Sequence, residues 1–149
     1  MASALWLENG HCCVDQCECP KQVPNCYNPN YFLQLKGHSP AGGCLLAISC
    51  DYRVMVGGKF RIGLNETQLG IVAPYWFRDS MINTVGVRQT EMALQLGTLF
   101  SSEEALKIGL IDVEAPDQAT ANALAESKMK EFLKIPGMLC LLLMTIDDH

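Results

Sequence analysis

Glu66 lies in the string Gly63-Leu64-Asn65-Glu66-Thr67-Gln68-Leu69-Gly70, a short polar interruption between two apolar stretches. A carboxylate held between apolar walls is the kind of group that moves protons near neutral pH. The same glutamate left in water would be an ordinary surface or capping residue. Asn65 beside it is a turn former by type. Further upstream, Pro40-Ala41-Gly42-Gly43 forms a turn that opens an apolar segment, Cys44 to Cys50. The unpaired N–H groups of a helix start, bare of side chains at glycine, favour negative charge. A thioester carbonyl placed there would be polarised, and an enolate oxygen stabilised more strongly. Glycine at that point serves a tight helix entry equally well.

A third group is the run of five cysteines, Cys12, Cys13, Cys17, Cys19 and Cys26, next to His11. Zinc sites usually pair ligands across two to four residues and repeat the pair further on. Cys13 and Cys17 fit that loosely, Cys17 and Cys19 do not, and no second pair follows, so no metal site is expected. An odd cluster without a secretory signal predicts no disulfide framework either. Free thiols in an unstructured segment are the expectation, with Cys44 and Cys50 packing inside their apolar segment.

The elements that must position these residues follow from hydrophobic period and punctuation. Residues 1–30 have no period and contain Pro20, Pro24 and Pro29, which predicts loop or disorder. Tyr31 to Lys36 reads as a short strand. Cys44 to Cys50 is apolar nearly all round, which predicts a buried helix. Tyr52 to Val56 and Lys59 to Ile62, around Gly57-Gly58, predict a hairpin. Pro74 to Thr84 predicts a helix with Pro74 at its first position. Val87 to Leu96 predicts another, with Met92, Leu94 and Leu96 on the apolar side and Gly97 as the stop. Ser101 and Glu104 fit a capping box heading a helix that Gly109 ends. Leu110 to Val113 predicts a short strand or extended exit. Pro116 to Ile135 predicts a long helix with Ala119, Ala123, Leu124, Met129, Phe132 and Leu133 toward the core.

The totals bound the function. The 149 residues suffice for one domain with a core, at 49% hydrophobic and 18% charged. Net charge is −5, and the 11 lysines and arginines form no basic stripe, which argues against nucleic acid as a partner. The apolar run Met138 to Met144 is too short to span a bilayer. The first basic residue is Lys21, so neither a signal nor a transit peptide is expected.

Four ordered motifs carry a family resemblance. Pro40 to Arg53 (PAGGCLLAISCDYR), Gly63 to Ile71 (GLNETQLGI), Ala93 to Gly97 (ALQLG) and Glu104 to Asp112 (EALKIGLID) resemble the crotonase superfamily over residues 37–136. Within it they look most like the mitochondrial Δ3,Δ2-enoyl-CoA isomerases. Enoyl-CoA hydratases of the superfamily carry a glutamate two residues after the Gly-Gly pair, where this chain has Leu45. Hydration needs a second carboxylate to activate water; isomerisation needs one base and no water.

The resemblance implies an α/β fold, part of the crotonase spiral. It implies Glu66 as the acid/base, the Gly42 N–H as an oxyanion donor, and Asn65 at the substrate. Leu45, Ile71, Pro74 and Trp76 are candidates by position for an acyl pocket, with a core role open beside it. The substrate implied is an acyl-CoA thioester. No cofactor is expected, since CoA is part of the substrate. A homotrimer in the mitochondrial matrix is the family's arrangement. Residues 1–36 and 137–149 depart from the family pattern, as in a truncated or alternatively spliced product or a gene model with foreign ends, and the N-terminal half of the sheet is expected to be missing. One oxyanion donor in place of two would weaken stabilisation by roughly 3–4 kcal/mol. The rivals are a non-catalytic chain docking on full-length subunits, another crotonase activity such as hydration or thioester hydrolysis, and a metal-binding interaction module in residues 11–26.

Overall fold

A computed structural model describes residues 31–132 and 134. The cysteine cluster, the tail from Pro136 onward and Leu133 lie outside the described residues. Two small sheets pack on a main core, and a smaller cluster of Val54, Ala115, Ala121 and Ala125 lies on the other face of one of them. Strand β1 (Phe32–Leu35) pairs in parallel with β3 (Tyr52–Val56), which pairs in parallel with β6 (Val113–Ala115). Strand β2 (Ser39–Pro40) pairs in parallel with β4 (Arg61–Gly63), and β4 pairs antiparallel with β5 (Phe100–Ser101). The α/β class is as expected.

The predicted hairpin around Gly57-Gly58 does not form. Both edges of β3 are already occupied by parallel partners, and β4 belongs to the other sheet. The residues carry the reason. Val54 and Met55 are adjacent yet both fully buried, one under each face of the sheet. A strand covered on both sides reads as a continuous apolar run, which is the mark of a central parallel strand. The Gly57 N–H instead donates to the Ala115 carbonyl at 2.8 Å, extending the pairing with β6.

Helix α1 (Gly42–Ile48) is present, but it buries one face, not all of its surface. Cys44, Ala47 and Ile48 are buried, whereas Leu46 is exposed. Helix α2 (Tyr75–Val85) starts one residue later than expected, so Pro74 precedes it as the cap. Helix α3 (Val87–Leu96) ends before Gly97 as predicted. Its buried residues are Thr90 and Ala93, while Met92 and Leu96 are exposed and Leu94 is half-buried. Small side chains let α3 pack closely, and that closeness leaves the larger ones outside.

Helix α4 (Ser102–Lys107) has the predicted capping box. The Glu104 N–H donates to Ser101 Oγ at 3.3 Å, and the Ser101 N–H to Glu104 Oε2 at 2.8 Å. Leu110 and Ile111 form a buried turn, not a strand; pairing begins at Val113. Helix α5 (Gln118–Phe132) covers β1, β3 and β6. It presents Ala121 and Ala125 inward, whereas Ala119, Ala123 and Leu124 are exposed and Met129 and Phe132 half-buried. The alanine pair sits one helical turn apart and sets a close helix–sheet contact that larger residues would prevent.

Candidate active site

Parallel pairing of β2 with β4 brings the two candidate chemical groups to one end of a sheet. Pro40 lies opposite Gly63, and the Ala41 N–H donates to the Gly63 carbonyl at 2.8 Å. Gly42 follows two residues after the first strand and Glu66 three residues after the second. The carboxyl ends of parallel strands are where α/β sheets commonly place ligands.

Gly42 begins α1, so its N–H has no acceptor within the helix. It is exposed, and a Cβ added there would meet nothing within 4 Å. Ala41 before it adopts φ 50°, ψ −119°, a backbone state that L residues rarely occupy. Such a state costs on the order of 1–3 kcal/mol and sets the direction of the next peptide group.

Glu66 opens a four-residue 3-10 turn, Glu66–Leu69, closed by Gly70 in the left-handed conformation. The Ile71 N–H donates back to the Glu66 carbonyl at 3.0 Å. Glu66 is only 7% exposed, and its Oε2 is buried without a hydrogen-bond partner. The Oδ1 of neighbouring Asn65 is likewise buried and unpartnered. Buried polar atoms normally find partners, so two adjacent ones without any mark a place where polar groups are held ready. Cys44, on the inner face of α1, feels this carboxylate. Its thiol is pushed up to about 12, chiefly by burial and next by the charge of Glu66.

Glu66 opens onto a groove of about 500 Å³. Thr67, Val72, Ala73, Tyr75, Arg78, Leu94 and Gln95 complete its walls. Of the acyl-pocket candidates, Leu45 is half-buried and packs against the main core. Ile71 and Trp76 are 55% and 48% exposed, and Pro74 is exposed; all three alternate along the chain with the residues that form the wall. Tyr75 and Arg78 share a face of α2 by their three-residue spacing, a signal the sequence does contain. Leu94 and Gln95 reach the groove from α3; Leu94 belongs to the expected apolar side of that helix, but nothing in local sequence marks either as a groove wall. Among the described residues, no group of three or more His, Cys, Asp or Glu could hold a metal ion.

This fold and site define a crotonase-type α/β protein. A family profile described as Enoyl-CoA hydratase/isomerase matches residues 33–142, and the chain belongs to that family. The mitochondrial enoyl-CoA delta isomerase 1 of Mus musculus is 54% identical over 113 residues, covering 74% of this chain and 39% of the relative. The Homo sapiens counterpart is 47% identical over 103 residues, covering 68% and 34%. The crystal structure of the human mitochondrial delta3-delta2-enoyl-CoA isomerase superposes with TM-score 0.68 at 45% identity, over 72% of this chain and 42% of that one. An enoyl-CoA hydratase/carnithine racemase from Magnetospirillum magneticum shares the fold at TM-score 0.73 and 20% identity, over 83% and 47%. The chain thus spans 34% to 39% of the length of the three delta isomerases it matches.

Proposed function

We propose that the chain carries the acid/base half of an enoyl-CoA isomerase site, converting 3-enoyl-CoA to trans-2-enoyl-CoA with Glu66 as the single proton carrier. The observation that carries this reading is the buried Glu66 carboxylate, with an unpartnered Oε2, at the wall of a groove. The thioester carbonyl oxygen accepts the Gly42 N–H. Glu66 takes a proton from C2, and the C3–C4 double bond shifts as a dienolate forms. Negative charge gathers on the carbonyl oxygen, where the Gly42 N–H is worth more than it was to the ground-state carbonyl. Protonated Glu66 then returns the proton to C4, leaving the double bond at C2–C3. Asn65 orients the thioester. Val72, Ala73 and Leu94 take the acyl chain, with Ile71, Pro74 and Trp76 adding apolar surface beside it.

Leu45 supports isomerisation over hydration, because no second carboxylate stands at that position to activate water. The delta isomerase relatives favour the same reaction, and with it a place in mitochondrial fatty-acid β-oxidation. Product analysis tests this choice. Incubation with a 3-enoyl-CoA should yield 2-enoyl-CoA, and incubation with a 2-enoyl-CoA should yield no 3-hydroxyacyl-CoA; accumulation of the hydroxy product would assign a hydratase.

A second reading is supported by the exposed apolar residues Leu69, Ile71, Val72 and Tyr75. Large apolar side chains left exposed within one short segment suit subunit contact. In this reading the chain docks on full-length isomerase subunits in a trimer without turning over substrate itself. Co-purification with active enzyme, without turnover by the isolated chain, would select it.

A further inference from the structure

The orientation of Glu66 has to be set by something other than bonds to its Oε2, because that atom has none. A four-residue 3-10 turn is also weak support by itself. The turn is instead tied to the end of α3. The Thr67 hydroxyl donates to the Leu94 carbonyl at 2.5 Å, and the Gln68 amide to the Leu96 carbonyl at 3.4 Å. Both acceptors sit in the last turn of α3, where carbonyls run out of helical partners.

The turn that follows α3 then presses on both sides of Glu66. Gly97 adopts φ 60°, and a Cβ there would fall 2.6 Å from Gln68 Cγ and 3.1 Å from Thr67 Oγ1. Gly63, on the other flank, lies so close that a Cβ would overlap the Thr98 carbonyl oxygen. One short segment, 97–99, therefore contacts the chain just before and just after Glu66.

We propose that Thr67 is a positioning residue for Glu66: its bond to the Leu94 carbonyl, braced by the glycine contacts of segment 97–99, fixes the turn that holds Glu66 at the groove wall. The proposal rests on Glu66 being the acid/base. Thr67 also lines the groove, so a direct substrate contact must be separated from positioning. Positioning moves kcat and leaves KM; substrate contact moves KM.

The test compares Thr67→Val and Thr67→Ser in the whole chain. The readouts are kcat and KM on a 3-enoyl-CoA, and the Glu66 13Cδ resonance, assigned by its loss in Glu66→Gln. Thr67→Val should lower kcat by about 10- to 100-fold, as small misplacements of a reacting group do, with KM within about twofold. Its Glu66 line should broaden or move. Thr67→Ser keeps the hydroxyl and should restore both kcat, to within about threefold, and the wild-type line. Thr67→Ala, which adds no methyl next to the carbonyl, substitutes if the valine variant does not fold. Wild-type kcat in the valine variant, a rise in KM alone, or equal losses in valine and serine would overturn the proposal. Should the wild-type chain show no turnover, the acid/base reading fails separately. The resonance still decides: an unchanged line in Thr67→Val overturns positioning, and a changed line restored by serine supports it.

Discussion

The Ala41 amide donates to the Gly63 carbonyl at 2.8 Å, one residue before Gly42 and three before Glu66. This bond continues the parallel pairing of Pro40 with Gly63 one residue past the end of β2. It ties the candidate oxyanion donor and the candidate base to one another through backbone alone. Side chains of the site can vary while this spacing stays.

That arrangement is held under strain at Ala41, whose φ of 50° is unfavourable for any residue with a Cβ. Glycine adopts such a state freely, at the cost of a more flexible unfolded chain. Ala41→Gly should therefore stabilise the fold by about 1 kcal/mol, the strain of about 1–3 kcal/mol relieved less the unfolded-state entropy. Urea unfolding measures it, and a clear loss of stability would contradict the strain.

Burial raises the Cys44 thiol from 9.0 to about 12 and the Cys50 thiol to about 11, with the Glu66 charge adding at Cys44 and the Asp51 charge at Cys50. Their folded values lie above the unfolded one. Stability from these groups is thus complete below pH 9 and falls as pH rises toward 11–12, because the unfolded chain releases protons that the folded chain keeps. Each thiol contributes a slope of at most about 1.4 kcal/mol per pH unit in that window. Cys44→Ala should flatten the alkaline limb of a stability–pH curve; an unaltered slope would mean that the thiol ionises readily in the folded state.

Arg53 joins β3 to the turn before β6. Its Nε lies 3.1 Å from Asp112 Oδ2, its own N–H donates to the same oxygen at 2.7 Å, and the Asp112 N–H returns a bond to the Arg53 carbonyl at 3.0 Å. The two side chains are 12% and 29% exposed. Asp112→Ala strands a mostly buried guanidinium and should cost about 3 kcal/mol, with Asp112→Asn intermediate. A loss below about 1 kcal/mol would place the pair with solvent-screened surface bridges.

The parts of this protein legible from its residues are those with local causes. The capping box at Ser101 and Glu104, the stop at Gly97 and the helix opening at Gly42 each depend on a few neighbouring residues. Glu66 stood out because a lone carboxylate interrupts apolar sequence, and the motifs around it point to a family. What stayed hidden depends on distant partners. Whether β3 folds back on β4 or lies between β1 and β6 is decided by residues 20 to 60 positions away. The inward faces of α3 and α5 went to Thr90, Ala93, Ala121 and Ala125, because close packing selects small residues that an apolar period passes over. Leu94 and Gln95 join the groove, and Thr67 gains its anchor, only once α3 lies against the turn of Glu66.

The most direct measurement is turnover of a 3-enoyl-CoA by the purified chain beside its Glu66→Gln variant. The account predicts turnover by the wild-type chain and a fall of about 10²- to 10⁴-fold in the variant, the range for loss of a general acid/base. Turnover that survives Glu66→Gln would contradict Glu66 as the proton carrier, and a folded wild-type chain without turnover would contradict catalysis by this chain alone.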